Sequence, residues 1–293
     1  TKEEMKNLGW DSIDVLLISG DTYLDTSYNG SALVGKWLVE HGFKVGIIAQ
    51  PEVDVPDDIT RLGEPNLFFA ISGGCVDSMV ANYTATKKRR QQDDFTPGGE
   101  NNKRPDRAVL VYSNMVRRFF KGTTKKIVIS GIESSLRRIT HYDYWTNKLR
   151  KPILFDAKAD ILSYGMGEMS MLQLATALKN REDWQNIRGL CYLSKENKED
   201  YLSLPSHSEC LADKDKFIEA FHTFYLNCDP ITAKGLCQKC DDRYLIQNPP
   251  SESYSEEIMD KIYAMEFARD VHPYYKKMGA VRALDTIKYS VTT

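Results

Sequence analysis

"DSIDVLLISGD" (residues 11–21) decides the fold. Polar residues give way to an almost unbroken apolar run, Ile13 to Ile18, closed by Ser19, Gly20 and Asp21. A strand with one wet face alternates apolar and polar side chains, whereas a strand covered on both faces does not. The run therefore predicts a parallel strand buried on both sides. In "YNGSALVGKWLVEHGFKVGIIAQP" (residues 28–51), Ala32, Leu33, Trp37 and Leu38 fall at helical spacing, and Gly42 stops the helix. "KVGIIA" (44–49) is a second strand. Strand, helix and strand make a βαβ unit with a right-handed crossover.

The alternation continues. "NLFFAIS" (66–72), "KKIVIS" (125–130) and "ADILSYG" (159–165) read as further strands. "RAVLVYSNMVRRFF" (107–120) and "EMSMLQLATALKN" (168–180) read as helices. The expected fold is α/β, a doubly wound, mainly parallel, Rossmann-like sheet over residues 1–194. After residue 194 the alternation breaks. "DKFIEAFHTFYLN" (215–227) and "SEEIMDKIYAMEFA" (255–268) look helical, and "RYLIQNPP" (243–250) looks like a short strand. Residues 195–293 are therefore expected to form a mostly helical extension and linker.

The 293 residues carry a net charge of −2, so no global basic field draws the chain to nucleic acid. No apolar run approaches the roughly 20 residues of a membrane-spanning helix. The six cysteines have no framework-like spacing, which points to a reducing, cytoplasmic setting. His222, Cys228, Cys237 and Cys240 could hold zinc, but Asp241 and Asp242 follow the pair where a turn glycine is common, and no metal site is assigned. The run Lys87 to Arg90 could touch phosphates; Asp93 and Asp94 balance it, which favours a solvated loop.

In a doubly wound sheet, ligands sit beyond the carboxyl ends of the strands. Asp21, Tyr23 and Asp25 leave the first strand, as ligand contacts or as turn chemistry. "SGGCVDSM" (72–79) leaves the third; its two glycines allow close approach, and Cys75 could be a nucleophile, but with no His near it in sequence a small buried residue is the default reading. "GIESSLRRITHYDYW" (131–145) leaves the fourth with Glu133, Arg137, Arg138, His141 and Asp143 among Tyr142, Tyr144 and Trp145. Guanidinium forks bind carboxylate or phosphate, and rings offer stacking faces. An internal network, with acids neutralising the arginines, is the competing account. Glu168 follows Gly165 and Gly167 in the first turn of a helix, where it would oppose an anion and suit the helix dipole. The set suggests one cleft along this edge.

"RPDRAVLVYSN" (104–114), "GIESSLRRITHYDYW" and "KADILSYGMGE" (158–168) resemble the N-terminal region of the YgiQ-like radical SAM proteins. The resemblance runs from "LGWDSIDVLLISGDTYLD" (8–25) through "GFKVGIIAQP" (42–51) to "NPPSESYSEEIMDKIY" (248–263). Cys75 stands where the family is expected to carry Asn, and "AMEFARD" (264–270) departs from a Leu-Pro-Tyr stretch.

The resemblance implies that a radical SAM barrel of the same protein follows, opening with a stretch like "IKYSVTT" (287–293), and that this barrel is the domain's partner. A 4Fe–4S cluster and S-adenosylmethionine are implied for that full-length protein. This chain lacks the C-x3-C-x2-C cysteines and is expected to hold neither. The sheet is also similar to cobalamin-binding domains, without the D-x-H-x-x-G signal for histidine ligation. The expected task is to cover the barrel mouth and position an unidentified small-molecule or macromolecular substrate. The candidate contacts are Asp21, Tyr23, Asp25, Glu133, Arg137, Arg138, His141, Asp143, Lys158 and Glu168, with His141 able to shuttle a proton. No residue is assigned a catalytic role. The alternatives are a nucleotide- or macromolecule-binding module, using Arg137, Arg138 and the Lys87–Arg90 run, and a cobalamin carrier.

Overall fold

A computed structural model describes residues 1–288. The expected stretch 287–293 therefore lies outside the described residues from 289 onward. The strands are β1 (Val15–Ser19), β2 (Val45–Ala49), β3 (Phe68–Ser72), β4 (Lys126–Ser130), β5 (His141–Asp143), β6 (Lys148–Arg150), β7 (Ile161–Ser163), β8 (Leu190–Ser194), β9 (Leu202–Leu204), β10 (Leu236–Cys240) and β11 (Arg243–Gln247). Nine of them form one sheet in the order β2-β1-β3-β4-β7-β8-β11-β10-β9, and β5 and β6 form a separate hairpin. The first five in that order run parallel. β8 then pairs antiparallel with both β7 and β11, so the sheet passes residue 194 without a break.

Alternate residues of each central strand feed different cores. Leu16 and Ile18 of β1, Phe69 and Ile71 of β3, and Ile127 and Ile129 of β4 join Tyr112, Met115 and Val116 on one face. Val15, Leu17, Phe68, Ala70 and Val128 join Leu38, Met171 and Leu174 on the other. Helix Ala108–Phe119 covers the first face; helices Gly30–Glu40 and Gly167–Asn180 cover the second. Both faces must be apolar, which is why β1 reads as a continuous hydrophobic run. The mainly parallel doubly wound α/β sheet expected from the sequence is the one observed.

The chain leaves β1 toward β2 on one side and reaches β3 on the other, so the winding reverses between β1 and β3. In open α/β sheets that reversal marks the usual ligand crevice. Beyond residue 194 come helices His207–Ala212, Lys214–Tyr225, Glu256–Ala264, Pro273–Lys276 and Ala283–Ile287, together with β9, β10 and β11. Segment 268–272 returns over the β1 loop, where Val271 bridges Leu24.

Candidate functional site on the carboxyl edge

At the β1/β3 reversal the protein fills its own crevice. Arg104 is 1% exposed and reaches in from the loop that follows β3. Its Nε donates to the Gly20 carbonyl at 3.0 Å, and its guanidinium pairs with Asp21 and, at 3.3 Å, with Asp93. Asp21 also accepts from the Cys75 N–H at 2.6 Å. Burial pushes the Asp21 carboxyl up, against the pull of Arg104 and that N–H. Glycines make the fit possible. A Cβ on Gly20 would lie 2.6 Å from the Gly73 carbonyl carbon, and Gly74, at φ +111°, leaves only enough room for the Asp21 carboxyl. Asp21 is thus a buried structural partner of Arg104 and is held away from any open surface.

Glu133 is also internal, 2% exposed. Its two oxygens accept from the Ser78 N–H at 3.0 Å and the Val109 N–H at 3.1 Å. Both amides lie in the first turns of helices, Ser78–Asn82 and Ala108–Phe119, where unpaired N–H groups and the dipole favour a carboxylate. Glu133 therefore clasps two helices to the tip of β4.

Beside this packed edge lies an open hollow of about 450 Å³ that brings together Arg137, His141, Asp143, Arg90, Tyr83 and Trp145. Arg137 pairs with Asp77 and donates to the Glu133 carbonyl at 3.0 Å. Asp77 in turn caps helix Ser78–Asn82. Asp143 accepts from Arg107 at 2.8 Å and from the Thr146 hydroxyl at 2.5 Å. Burial alone would raise the Asp143 carboxyl, but these donors outweigh it and hold the pKa at about 2. Tyr83 and Trp145 pack with ring centroids 4.8 Å apart, and Lys87 sits 4.6 Å from the Tyr144 ring. The hollow thus offers flat aromatic walls, an arginine guanidinium already held by Asp77, and a neutral imidazole.

His141 donates from Nδ1 to the Ile139 carbonyl at 3.1 Å, and burial pulls its pKa from 6.5 down to about 4. The unfolded chain takes this proton near pH 6.5 and the folded chain only near pH 4, so folding is penalised progressively as pH falls through that window. His141→Gln is expected to flatten the fall of the urea midpoint between those pH values and to leave it unchanged above them. A wild-type minus variant difference that does not vary with pH contradicts the buried neutral imidazole.

The remaining candidates lie elsewhere. Arg138 stacks between Tyr164 and Phe224, at 4.5 and 4.3 Å, and donates to Gln247 at 3.0 Å, facing away from the hollow. Tyr23 and Asp25 are covered by the returning C-terminal segment; Asp25 accepts from the Ala268 N–H at 2.8 Å and pairs with Lys36 at 3.2 Å. Glu168 accepts from the Tyr254 hydroxyl in a second cavity described below. Lys158 precedes β7 and lies at the opposite, amino end of the sheet, where its carbonyl accepts from Arg117. The basic run is largely committed internally: Lys87 donates to the Tyr144 carbonyl at 3.2 Å, Arg89 pairs with Asp106 at 3.4 Å, and Arg90 donates to the Val80 carbonyl at 3.2 Å.

Arg104 and Asp77 escaped notice in the sequence. Asp77 carries a readable signal, an Asp immediately before a helix. Arg104 carries none, because "NNKRPDR" (101–107) has the composition of a wet loop.

Fold and edge define a doubly wound α/β domain with a loaded carboxyl rim. The chain belongs to the radical SAM N-terminal family, whose model matches residues 1–290. It is 96% identical over 293 residues to a UPF0313 protein of Fusobacterium nucleatum, covering all of this chain and 52% of that protein. It is 49% identical over 295 residues to a UPF0313 protein of Thermotoga neapolitana, again covering 52% of it. A Clostridium botulinum UPF0313 protein is 42% identical over 298 residues, with 46% of it covered. The chain thus spans about half the length of the curated relatives it matches. Among solved structures, it is similar to the radical S-adenosylmethionine methyltransferase TsrM of Kitasatospora setae with tryptophan and a SAM analog bound. That match has 16% identity and a TM-score of 0.41 and covers 62% of this chain and 28% of the other.

The family implies an iron–sulfur cluster, and the thiols of this chain do not fit one. Cys237 and Cys240 are three apart on β10, an odd spacing that sends them to opposite faces of the strand. Cys228 lies in an exposed loop beside Arg138, and among the described residues no three His, Cys, Asp or Glu side chains are arranged so that they could hold a metal ion. A cobalamin inserted at the β1/β3 reversal does not fit either, because Gly20, Gly73, Asp21 and Arg104 occupy that space. No helix among the described residues is long and apolar enough to cross a membrane.

Proposed function

We propose that this chain is the substrate-positioning N-terminal domain of a YgiQ-like, cytoplasmic radical SAM protein, and that its carboxyl edge faces the barrel. The cluster and S-adenosylmethionine belong to the remainder of that protein, where reductive cleavage of the sulfonium supplies a carbon radical. The residues of this chain do other work: they hold substrate in the hollow of Arg137 and His141 and keep water from the shared mouth. His141 is uncharged at neutral pH and its Nδ1–H is held by the Ile139 carbonyl, so its Nε2 can accept a hydrogen bond without bringing in a charge. Six unpaired thiols are compatible with the reducing cytoplasm.

One observation carries the orientation. Segments after three neighbouring parallel strands each present exposed apolar side chains: Val76 and Val80 after β3, Ile132 and Leu136 after β4, and Met166 after β7. Val80 is 59% exposed and Leu136 62%. Apolar rims of this kind mark interaction surfaces. The family assignment and the half-length coverage of the relatives favour the rest of the same protein as the occupant.

Both side chains are exposed, so Val80→Asp with Leu136→Asp should leave the fold intact. In the full-length protein the double variant is expected to keep its far-ultraviolet dichroism, to become more sensitive to proteolysis between the two halves, and to scatter as a larger particle. An unchanged digestion pattern and radius of gyration would count against docking through this edge.

A further inference from the structure

A second cavity opens on the same edge, between the loop after β1, the start of helix Gly167–Asn180 and helix Glu256–Ala264. It measures about 420 Å³, within the range of small-molecule sites. Its wall holds two buried polar groups with unused capacity. Glu168 is 8% exposed; one oxygen accepts from the Tyr254 hydroxyl at 2.6 Å, and among the described residues no cation pairs with it. Thr26 is 2% exposed, and its hydroxyl has no hydrogen-bond partner. A buried carboxyl group with one hydrogen bond and an orphaned hydroxyl are both costly unless something completes them.

The rest of the lining says what would do so. Met166, Met259 and Met265 supply soft, adaptable apolar walls. Arg269, which is exposed, and Lys288 add positive charge to the same cavity. One negative group is buried, and positive groups stand nearer solvent. We propose that this cavity binds a small zwitterion with an apolar body, of the α-amino-acid type. Its ammonium donates to Glu168 and Thr26, its apolar part lies among the methionines, and its carboxylate faces Arg269. The site is separate from the hollow of Arg137, and its test reads binding, so its failure leaves the docking proposal standing.

Three probes differing only in charge discriminate the possibilities by titration calorimetry on the full-length protein: L-phenylalanine, 2-phenylethylamine and 3-phenylpropionate. L-phenylalanine should bind tightest, the amine less tightly and the acid weakest. Glu168→Gln keeps an acceptor for Tyr254 and is expected to weaken the two amines by about tenfold or more while sparing the acid. Arg269→Gln should narrow the gap between L-phenylalanine and the plain amine. If Glu168→Gln lowers the melting temperature, Thr26→Val, which removes only the hydroxyl, carries the same test. Equal or tighter binding of the acid, amine affinity indifferent to both substitutions, or no binding of any probe at millimolar concentration overturns the assignment.

Discussion

Arg104→Leu is expected to cost about 3–5 kcal/mol of stability, because it strands buried carboxylates without their counter-charge. Arg104 is 1% exposed, Asp21 1% and Asp93 5%, so neither acid has water to fall back on. The same guanidinium also donates to the Gly20 carbonyl, fixing the loop of residues 84–107 across the tips of β1 and β3. Urea denaturation should show a large drop in midpoint, and deuterium exchange should rise through residues 90–106. Adding Asp21→Asn to the variant should recover part of the loss, since one stranded charge is then gone. A loss below about 1 kcal/mol would mean that the cluster contributes no more than a surface ion pair.

Gly20→Ala is expected to be comparably severe for a different reason. Its methyl would sit 2.6 Å from the Gly73 carbonyl carbon, and the obstacle is backbone rather than a movable side chain. Gly20 also donates its N–H to the Ser72 carbonyl at 2.9 Å, so β1 and β3 would have to part where they are most tightly joined. Overpacking of this sort costs about 1–3 kcal/mol where neighbours yield, and more where they cannot. Gly30→Ala is the control. It lies at the start of helix Gly30–Glu40 with nothing within 4 Å of the added Cβ, so it should be neutral or mildly stabilising. Equal stability for the two variants would show that the tips are looser than this geometry requires.

The parallel half of the sheet was legible because burial on both faces forces long apolar runs, and β1, β3 and β4 have them. The continuation past residue 194 was harder to read. β9 is three residues long, and β10 reads "LCQKC", whose polar Gln238 and Lys239 hide a strand. Gln238 is buried because its amide donates to the Pro205 carbonyl and its oxygen accepts from the Thr140 N–H, pairings across about 30 and 100 residues that no local pattern shows. The candidate edge was legible as a list of loops but not as a set of contacts. Asp21, Glu133 and Arg138 read like ligand contacts because buried ion pairs, helix clasps and ring-stacked arginines use the same residue types as binding sites. Arg137, His141 and Asp143 do share a hollow. The difference lies in which partner each carboxylate meets, and Arg104 is 83 positions from Asp21.

The central claim, that the carboxyl edge faces the catalytic half of the full-length protein, is tested most directly by site-specific photo-crosslinking. A photoreactive residue is placed at Leu136 on the carboxyl edge, or at Lys158 on the amino edge. Both positions are exposed. Crosslinks from position 136 into the segment beyond residue 293, with none from position 158, are the predicted result. Crosslinks from 158 in place of 136 would contradict it.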